Sequence, residues 1–327
     1  MPVRTAPERL LLRLEWRVLR RIEGRIAGGY RTAARGTGTD LAGLRAYVEG
    51  DDARHIDWNA TARRCEPQLR VFNEDRELTA WLVLDRSASM TVGAAGRGKH
   101  DVLRELAVLV ALMFSRGGNQ VGALLYDNGA VRAVPPGAGR RHVLRLATEL
   151  DRPPAPRPRA GTVPGSPRRQ RRRGRAGGGP AESGGGTTDL AAMLDAAARV
   201  ARRRSLVIVI SDFIGSGDWE RSLLRLGQRH EVVALRVVDP ADEELPDAGL
   251  VVVEDAETGE QLVIDSGDPL VRARLRAAVA ERDALLAAGM RRAGVPAHRI
   301  DTTADLVPAL IGVVASTGLA GRGRGPR

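Results

Sequence analysis

A continuous apolar segment, Trp81-Leu82-Val83-Leu84, runs directly into an acidic residue, Asp85. A strand with one solvated face alternates apolar and polar residues, so an uninterrupted apolar run is typical of a strand buried on both faces. Such strands occur in parallel sheets that helices cover on each side. Asp85 then stands at the carboxyl end of the strand, where open α/β sheets bind their ligands. This segment therefore indicates an α/β fold and marks one candidate site.

The sequence after Asp85 alternates between helical and strand patterns. Apolar spacing predicts helices over 101–116, 141–150, 190–203, 219–229, 269–292 and 304–314. Apolar runs predict strands over 120–126, 130–134, 206–210, 232–238, 250–254, 261–264 and 298–300, with an Asn128-Gly129 hairpin turn between the first two. This alternation predicts a doubly wound, mostly parallel sheet flanked by helices.

The N-terminal residues 1–78 read as a separate segment before the α/β domain, which we place at 79–316. Leu11, Leu14, Val18, Ile22 and Ile26 recur at helical spacing and predict a helix over 8–26. Its basic face could lie on an anionic membrane, but docking onto its own domain explains the apolar stripe as well and is favoured. Short segments separated by glycines follow, with a predicted strand over 68–72.

The formal net charge of +11 is concentrated in two segments. Residues 152–180 contain nine arginines and no acidic residue, and the tail adds Arg322, Arg324 and Arg327. Without these twelve charges the rest of the chain is close to neutral. We predict a disordered Arg/Gly/Pro insertion at 152–186 and a disordered basic tail at 317–327, because neither can bury much apolar area. RNA or DNA binding through the insertion is one alternative function.

Cys65 is the only cysteine of the chain, so an internal disulfide is excluded. We expect it to be a small, half-buried residue. No apolar run reaches the roughly 18 residues of a membrane span, and the N-terminus does not resemble a signal peptide. The expected location is the cytoplasm, with membrane association only through partners.

Asp85 opens a short polar motif, Asp85-Arg86-Ser87-Ala88-Ser89, after the buried strand. One tight loop can turn a carboxylate and two hydroxyls at this spacing toward a single point. These hard oxygen ligands suit Mg²⁺, which keeps several waters and needs few protein ligands, or another divalent cation such as Mn²⁺. The ordinary alternative is that Ser87 or Ser89 caps the following helix.

Two other loops offer oxygen ligands at the same edge of the predicted sheet. Thr187 and Thr188 follow three glycines and precede a predicted helix. Asp212 ends a second apolar strand, Ile208-Val209-Ile210-Ser211-Asp212. Three polar loops at the strand ends favour one shared site over three independent helix caps.

These loops resemble the metal-ion-dependent adhesion site of von Willebrand factor A domains. The resemblance implies five ligands for Mg²⁺: Asp85, Ser87, Ser89, Thr188 and Asp212. Thr187 is a rival for the threonine position, because the neighbouring register also gives a threonine after Gly-Gly. Sites of this type bind proteins: one coordination position stays open, and an acidic side chain of the partner fills it.

The segment Leu41–Trp58, with its Glu49-Gly50-Asp51-Asp52 core, continues through Ala62-Arg63 to Arg70–Glu74. It resembles the signature of a bacterial family, domain of unknown function fifty-eight, whose members carry a von Willebrand factor A-like domain directly after it. The similarity covers about residues 36–240. Members of that family are encoded beside MoxR-type AAA ATPases, so the resemblance implies an adaptor or chaperone-like role with such a partner.

Two enzymatic interpretations compete with binding. A metal-dependent phosphohydrolase of the haloacid dehalogenase type would use Asp85 as nucleophile, but Ser87 stands where its general acid belongs. The segment Gly93–Lys99 resembles the start of a phosphate-binding loop, but His100 replaces the required Ser or Thr. We therefore predict a protein that is not an enzyme.

Overall fold

A computed structural model describes residues 6–8, 10–11, 14, 35–36, 40–48, 51–73, 79–91, 96–154, 188–215, 218–254 and 261–317. The predicted insertion, apart from residues 152–154, and almost all of the predicted tail lie outside these residues, as does Thr187. Among the described residues, no helix is both long and apolar enough to span a membrane.

A central six-stranded sheet organises the chain. The bounds of its strands are β4 Thr79–Asp85, β5 Gln120–Asp127, β6 Ala130–Gly137, β7 Leu206–Ser211, β8 Glu231–Val238 and β11 Ala297–Asp301. Their order in the sheet is β11-β8-β7-β4-β5-β6, and all neighbouring strands are parallel except β6, which pairs antiparallel with β5 at one edge. The prediction of a mixed α/β fold with a mostly parallel sheet is confirmed.

Helices cover both faces of this sheet, because side chains of a buried strand point alternately to each side. From β4, Leu82 and Leu84 enter one apolar core, whereas Trp81 and Val83 enter the other. The bounds of the helices are α1 Trp58–Arg64, α2 Ala88–Thr91, α3 Lys99–Arg116, α4 Gly139–Asp151, α5 Leu190–Val200, α6 Trp219–Arg229, α7 Pro269–Ala293 and α8 Leu306–Thr317. Helices α3, α4 and α8 contribute to the first core, and α5, α6 and the end of α7 to the second.

The Asn128-Gly129 turn between β5 and β6 is confirmed. Both residues have positive φ, 48° and 95°. A two-residue turn of this kind matches the twist of the flanking strands, and Asn and Gly adopt it at least cost. The turn makes β6 the antiparallel edge strand of an otherwise parallel sheet.

The described part of the N-terminal helix docks onto the domain itself. Residues 6–8, 10–11 and 14 are helical, and Leu11 and Leu14 are fully buried in the first core. These contacts agree with the docking interpretation of the apolar stripe as far as Leu14. The rest of the predicted helix lies outside the described residues.

A three-stranded antiparallel sheet follows, with order β1-β3-β2 and bounds β1 Arg35–Gly36, β2 Asp40–Ala46 and β3 Gln68–Asn73. Its acidic residues fix loops and cap short helices: Asp51 pairs with Arg45, and Asp57 caps α1 and pairs with Arg70. Cys65 was expected to be half-buried, but it is exposed. It is the C-cap residue of α1 and adopts the left-handed region, with φ 57°.

The predicted β segments after residue 249 form an antiparallel ribbon, β9 Leu250–Glu254 and β10 Gln261–Asp265. The ribbon precedes α7, whose only buried residues are Gly289, Met290 and Ala293 near its C-terminus. Most of α7 therefore contributes no buried side chains to the two cores.

Candidate functional site

The site lies where the strand order of the central sheet reverses. The chain proceeds from β4 toward β5 on one side and from β7 toward β8 on the other, so β4 and β7 flank the switch point. Asp85 ends β4, and Asp212 follows the last residue of β7. Open α/β sheets bind their ligands beyond the strand ends at such a switch point.

Asp85 is completely buried at this point. Its Oδ2 accepts a hydrogen bond of 2.6 Å from the Ser211 hydroxyl, and its Oδ1 accepts one of 3.0 Å from the Ser87 backbone N–H. Ser211 Oγ also accepts a hydrogen bond of 2.8 Å from the Phe213 N–H. The end of β7 therefore positions the carboxylate at the end of β4.

The two serines of the motif face each other. Ser87 Oγ and Ser89 Oγ are 3.0 Å apart and hydrogen-bonded, and both residues are buried. Ser89 lies in the short helix α2 rather than in a loop, because the Met90 N–H already bonds to the Ser87 carbonyl at 3.2 Å. One turn of helix thus brings both hydroxyls to the side of Asp85.

Arg86, between Asp85 and Ser87, points into the protein and is fully buried. Its Nε lies 3.3 Å from Asp127 Oδ1, and its Nη2 donates a hydrogen bond to the Arg152 carbonyl. Its backbone N–H also continues the sheet by bonding to the Tyr126 carbonyl at 2.9 Å. The motif therefore combines Arg86, which points into the protein, with two serine hydroxyls that face each other beside Asp85.

Thr188 is buried directly before α5. A Cβ added at Gly215 would lie 2.3 Å from the Thr188 carbonyl oxygen, so the threonine segment and the segment after Asp212 are in close backbone contact. The structure therefore places Thr188 against one of the two acidic loops. The register alternative, Thr187, lies outside the described residues.

Asp212 is buried and has an internal counter-ion, Lys99, at the start of α3. Lys99 Nζ donates to Asp212 Oδ2 at 3.1 Å and pairs with Asp242 Oδ2 at 2.7 Å. The second oxygen of Asp212, Oδ1, accepts from the Ile214 N–H at 3.0 Å. Phe213, between Asp212 and Ile214 in the chain, has a positive φ of 55°, an uncommon conformation that tends to occur at functional sites.

The site contains two carboxylates that interact electrostatically, those of Asp85 and Asp212, and one ammonium, that of Lys99. Burial, and then the negative charge of Asp212, raise the pKa of Asp85 to about 6. Burial lowers the pKa of Lys99, but Asp212 and Asp242 outweigh it, so that the pKa is raised overall. An ionised Asp85 thus lies in a place where a second positive charge would be stabilised.

The switch point brings the predicted strand ends together, and it adds residues that the motif reasoning missed. Ser211 donates a hydrogen bond to Asp85, and Lys99 donates one to Asp212. Lys99 is the last residue of the segment that resembles a phosphate-binding loop, so its signal was present but was assigned to another chemistry. Asp242, in a 3-10 turn after β8, had no signal of its own in the sequence.

The amino-acid sequence of this chain is similar to those of other bacterial proteins. Uncharacterized proteins of Mycobacterium tuberculosis and Mycobacterium bovis are each 35% identical over 304 residues, which is 93% of this chain and 87% of each relative. A family model described as "Protein of unknown function DUF58" matches residues 43–285, which is most of the chain.

One solved structure with a related chain path is the conserved hypothetical protein BatB from Bacteroides thetaiotaomicron. The similarity covers 73% of this chain and 98% of that chain, with a TM-score of 0.42 and 14% identity.

Proposed function

We propose that this chain, which belongs to the DUF58 family, is a Mg²⁺-dependent protein-binding module with a von Willebrand factor A-like fold. The observation that carries the proposal is the convergence of Asp85, Ser87 and Ser89 with Asp212 at the switch point of the sheet. The domain we infer runs from 79 to 316. Residues 1–78 form an N-terminal addition to it.

The available oxygen atoms fit a hard divalent cation. Two buried carboxylates and the hydroxyls of Ser87, Ser89 and Thr188 offer mixed oxygen ligands, as Mg²⁺ or Mn²⁺ prefers. No group of three or more His, Cys, Asp or Glu side chains that could hold a metal occurs among the described residues. Two carboxylates balance the two charges of the ion, and the neutral hydroxyls leave part of its octahedral coordination to water or to an additional acidic ligand from outside.

This chemistry supports binding rather than hydrolysis. The ion would supply an electrophilic centre, and the acidic side chain of a client or partner protein would fill its open position. The Ser87 hydroxyl is hydrogen-bonded to the Ser89 hydroxyl. A hydroxyl is not a carboxylic acid that could protonate a leaving group. We propose a MoxR-type AAA ATPase as the cellular partner, with this chain as its adaptor or chaperone-like subunit.

Titration of the purified chain with Mg²⁺ in a calorimeter tests the site. We expect one Mg²⁺ per chain, and an affinity that falls at least tenfold in Thr188→Val, as loss of a supporting oxygen does in other metal sites. Thr187→Val is the matched control, because it makes the same chemical change, loss of a threonine hydroxyl, at the neighbouring residue. Equal losses in both variants, or no heat with the wild-type chain, would contradict the assignment.

Substitution of Lys99 is expected to have the opposite effect on Mg²⁺ affinity from substitution of Thr188. Its ammonium neutralises Asp212 and repels an incoming cation, so Lys99→Met is expected to raise Mg²⁺ affinity about tenfold or more. The metal-free Lys99→Met variant should also be less stable in urea, because Asp212 and Asp242 lose their shared counter-ion. Weaker Mg²⁺ binding in this variant would show instead that Lys99 holds Asp212 in position for the metal.

A further inference from the structure

The ribbon β9–β10 exposes an unusual amount of aliphatic surface. Leu250 is 75% exposed, and Val252 and Val263, which lie directly opposite each other, are each 64% exposed. On the other face, Leu262 is 63% exposed and lies opposite Val253. Isolated aliphatic residues on a surface are ordinary, but a contiguous patch of this kind marks an interaction site.

The edges of the ribbon lack three features that block further strand pairing: proline, lysine and a bulge. Among the described strands, β9 and β10 pair only with each other, over five consecutive residue pairs and without a bulge. Neither strand contains proline or lysine, two residues that proteins commonly use to block further strand pairing. A two-stranded ribbon is marginally stable alone, and a third strand adds both hydrogen bonds and apolar contacts.

The base of the ribbon is nevertheless fixed, so that the edges form a preformed template. Ser266 is completely buried, and its hydroxyl donates to the Gly249 carbonyl at 2.8 Å. Arg272, in the first turn of α7, donates to the Ser266 carbonyl at 2.7 Å and pairs with Asp247 at 3.0 Å. A rigid template reduces the entropy that a binding segment must lose.

The charge around the patch defines the partner. Residues 250–265 contain five acidic residues and no lysine or arginine, although the whole chain is strongly basic. The register places Asp265 on the same face as Val252 and Val263, at one end of the ribbon. The other face carries only aliphatic side chains, those of Val251, Val253, Leu262 and Ile264.

We propose that the ribbon binds an extended segment of a partner protein in which aliphatic and basic residues alternate. The segment adds a strand to a free edge. Its aliphatic side chains extend the aliphatic face, and its basic side chains extend the face that carries Asp265. This surface is separate from the proposed metal site and needs no metal ion.

Fluorescence anisotropy with a labelled, N-acetylated Val-Arg-Val-Arg-Val-Arg-Val peptide tests this proposal on the full chain in EDTA. We expect saturable binding, weakening in 0.5 M NaCl, and slower hydrogen exchange within 250–265. Peptides with Glu in place of Arg, or Ser in place of Val, should bind at least tenfold more weakly. Equal binding of the Glu peptide would overturn the charge argument.

Val253→Thr with Leu262→Thr removes apolar surface from the aliphatic face while a β-branched residue keeps strand propensity, and it should weaken peptide binding about tenfold. Val131→Thr is the matched control, because Val131 is an exposed valine on the edge strand β6. Unchanged peptide affinity in the double variant, or no exchange protection in the wild-type ribbon, would overturn the proposal.

Two other occupants give different results. If the Arg-rich segment of this chain occupies the ribbon, the peptide will bind only after residues 155–186 are deleted. If a second copy occupies it, light scattering will show a dimer that the double variant dissociates and that does not bind the peptide. Either result would overturn the partner assignment without any bearing on Mg²⁺ binding at Asp85.

Discussion

Asp85→Asn is expected to abolish Mg²⁺ binding, with no heat of binding detected at Mg²⁺ concentrations that saturate the wild-type chain. Asparagine keeps the shape of the side chain but removes the negative charge at the centre of the site. The same variant should lose those partners that the wild-type chain captures from cells in Mg²⁺ and releases in EDTA. Asp195→Asn is the control, since it removes one carboxylate from an exposed ion pair with Arg225.

The pH dependence of stability separates loss of the ligand from loss of the fold. The pKa of Asp85 is about 6 in the metal-free folded chain and near 3.8 in the unfolded chain, so the folded state holds this proton more tightly. Its contribution to stability is therefore present below pH 4 and is lost as pH rises through 6. In urea without metal, Asp85→Asn should be at least as stable as the wild-type chain at pH 7.5. A variant that unfolds, or a partner list unchanged by Mg²⁺ and by the substitution, would contradict the proposed site.

Arg86→Met is expected to lower the free energy of unfolding by about 3–5 kcal/mol, because it leaves the buried carboxylate of Asp127 without its nearest buried cation. Arg132 also approaches Asp127, at 3.4 Å, but its side chain is 36% exposed, so solvent screens this pair more than it screens the pair with Arg86. Urea unfolding followed by circular dichroism measures the effect.

The double variant Arg86→Met with Asp127→Leu tests the cause. Replacing both members of a buried ion pair by apolar residues of similar size is often close to neutral, so most of the lost stability should return. Additive losses would mean that Arg86 acts mainly through its bond to the Arg152 carbonyl. In that case the proposed anchor of the motif would be the backbone after α4, and Asp127 would have no special part in it.

Much of the fold could be predicted from local patterns. The apolar run before Asp85 gave a buried strand because both of its faces had to be covered, and the Asn128-Gly129 pair gave the hairpin because few other residues adopt positive φ easily. Boundaries differed by a few residues, as for the helix predicted at 101–116, which begins at Lys99. Cys65 was placed wrongly because a single residue in a left-handed helix end has no periodic signal.

The candidate site was only partly accessible to such reasoning. Asp85 and Asp212 could be nominated because each directly follows an apolar strand. Lys99 lies 113 residues before Asp212 in the chain, and no spacing rule connects a lysine at a helix start with an aspartate so far away. The pairing of Asp242 with the same ammonium depends on where β8 lies in the sheet.

The sequence by itself determined the class of fold, the strand ends that carry acidic residues and the chemical character of the Asp85–Ser89 motif, because these follow from side-chain periodicity and ligand type. Only the tertiary structure decided which strand ends are neighbours: β4 and β7 are adjacent although more than a hundred residues separate Asp85 from Asp212. It also decided that Arg86 points inward and that Lys99 neutralises Asp212. Such contacts depend on the order of strands in the sheet, which local sequence patterns do not encode.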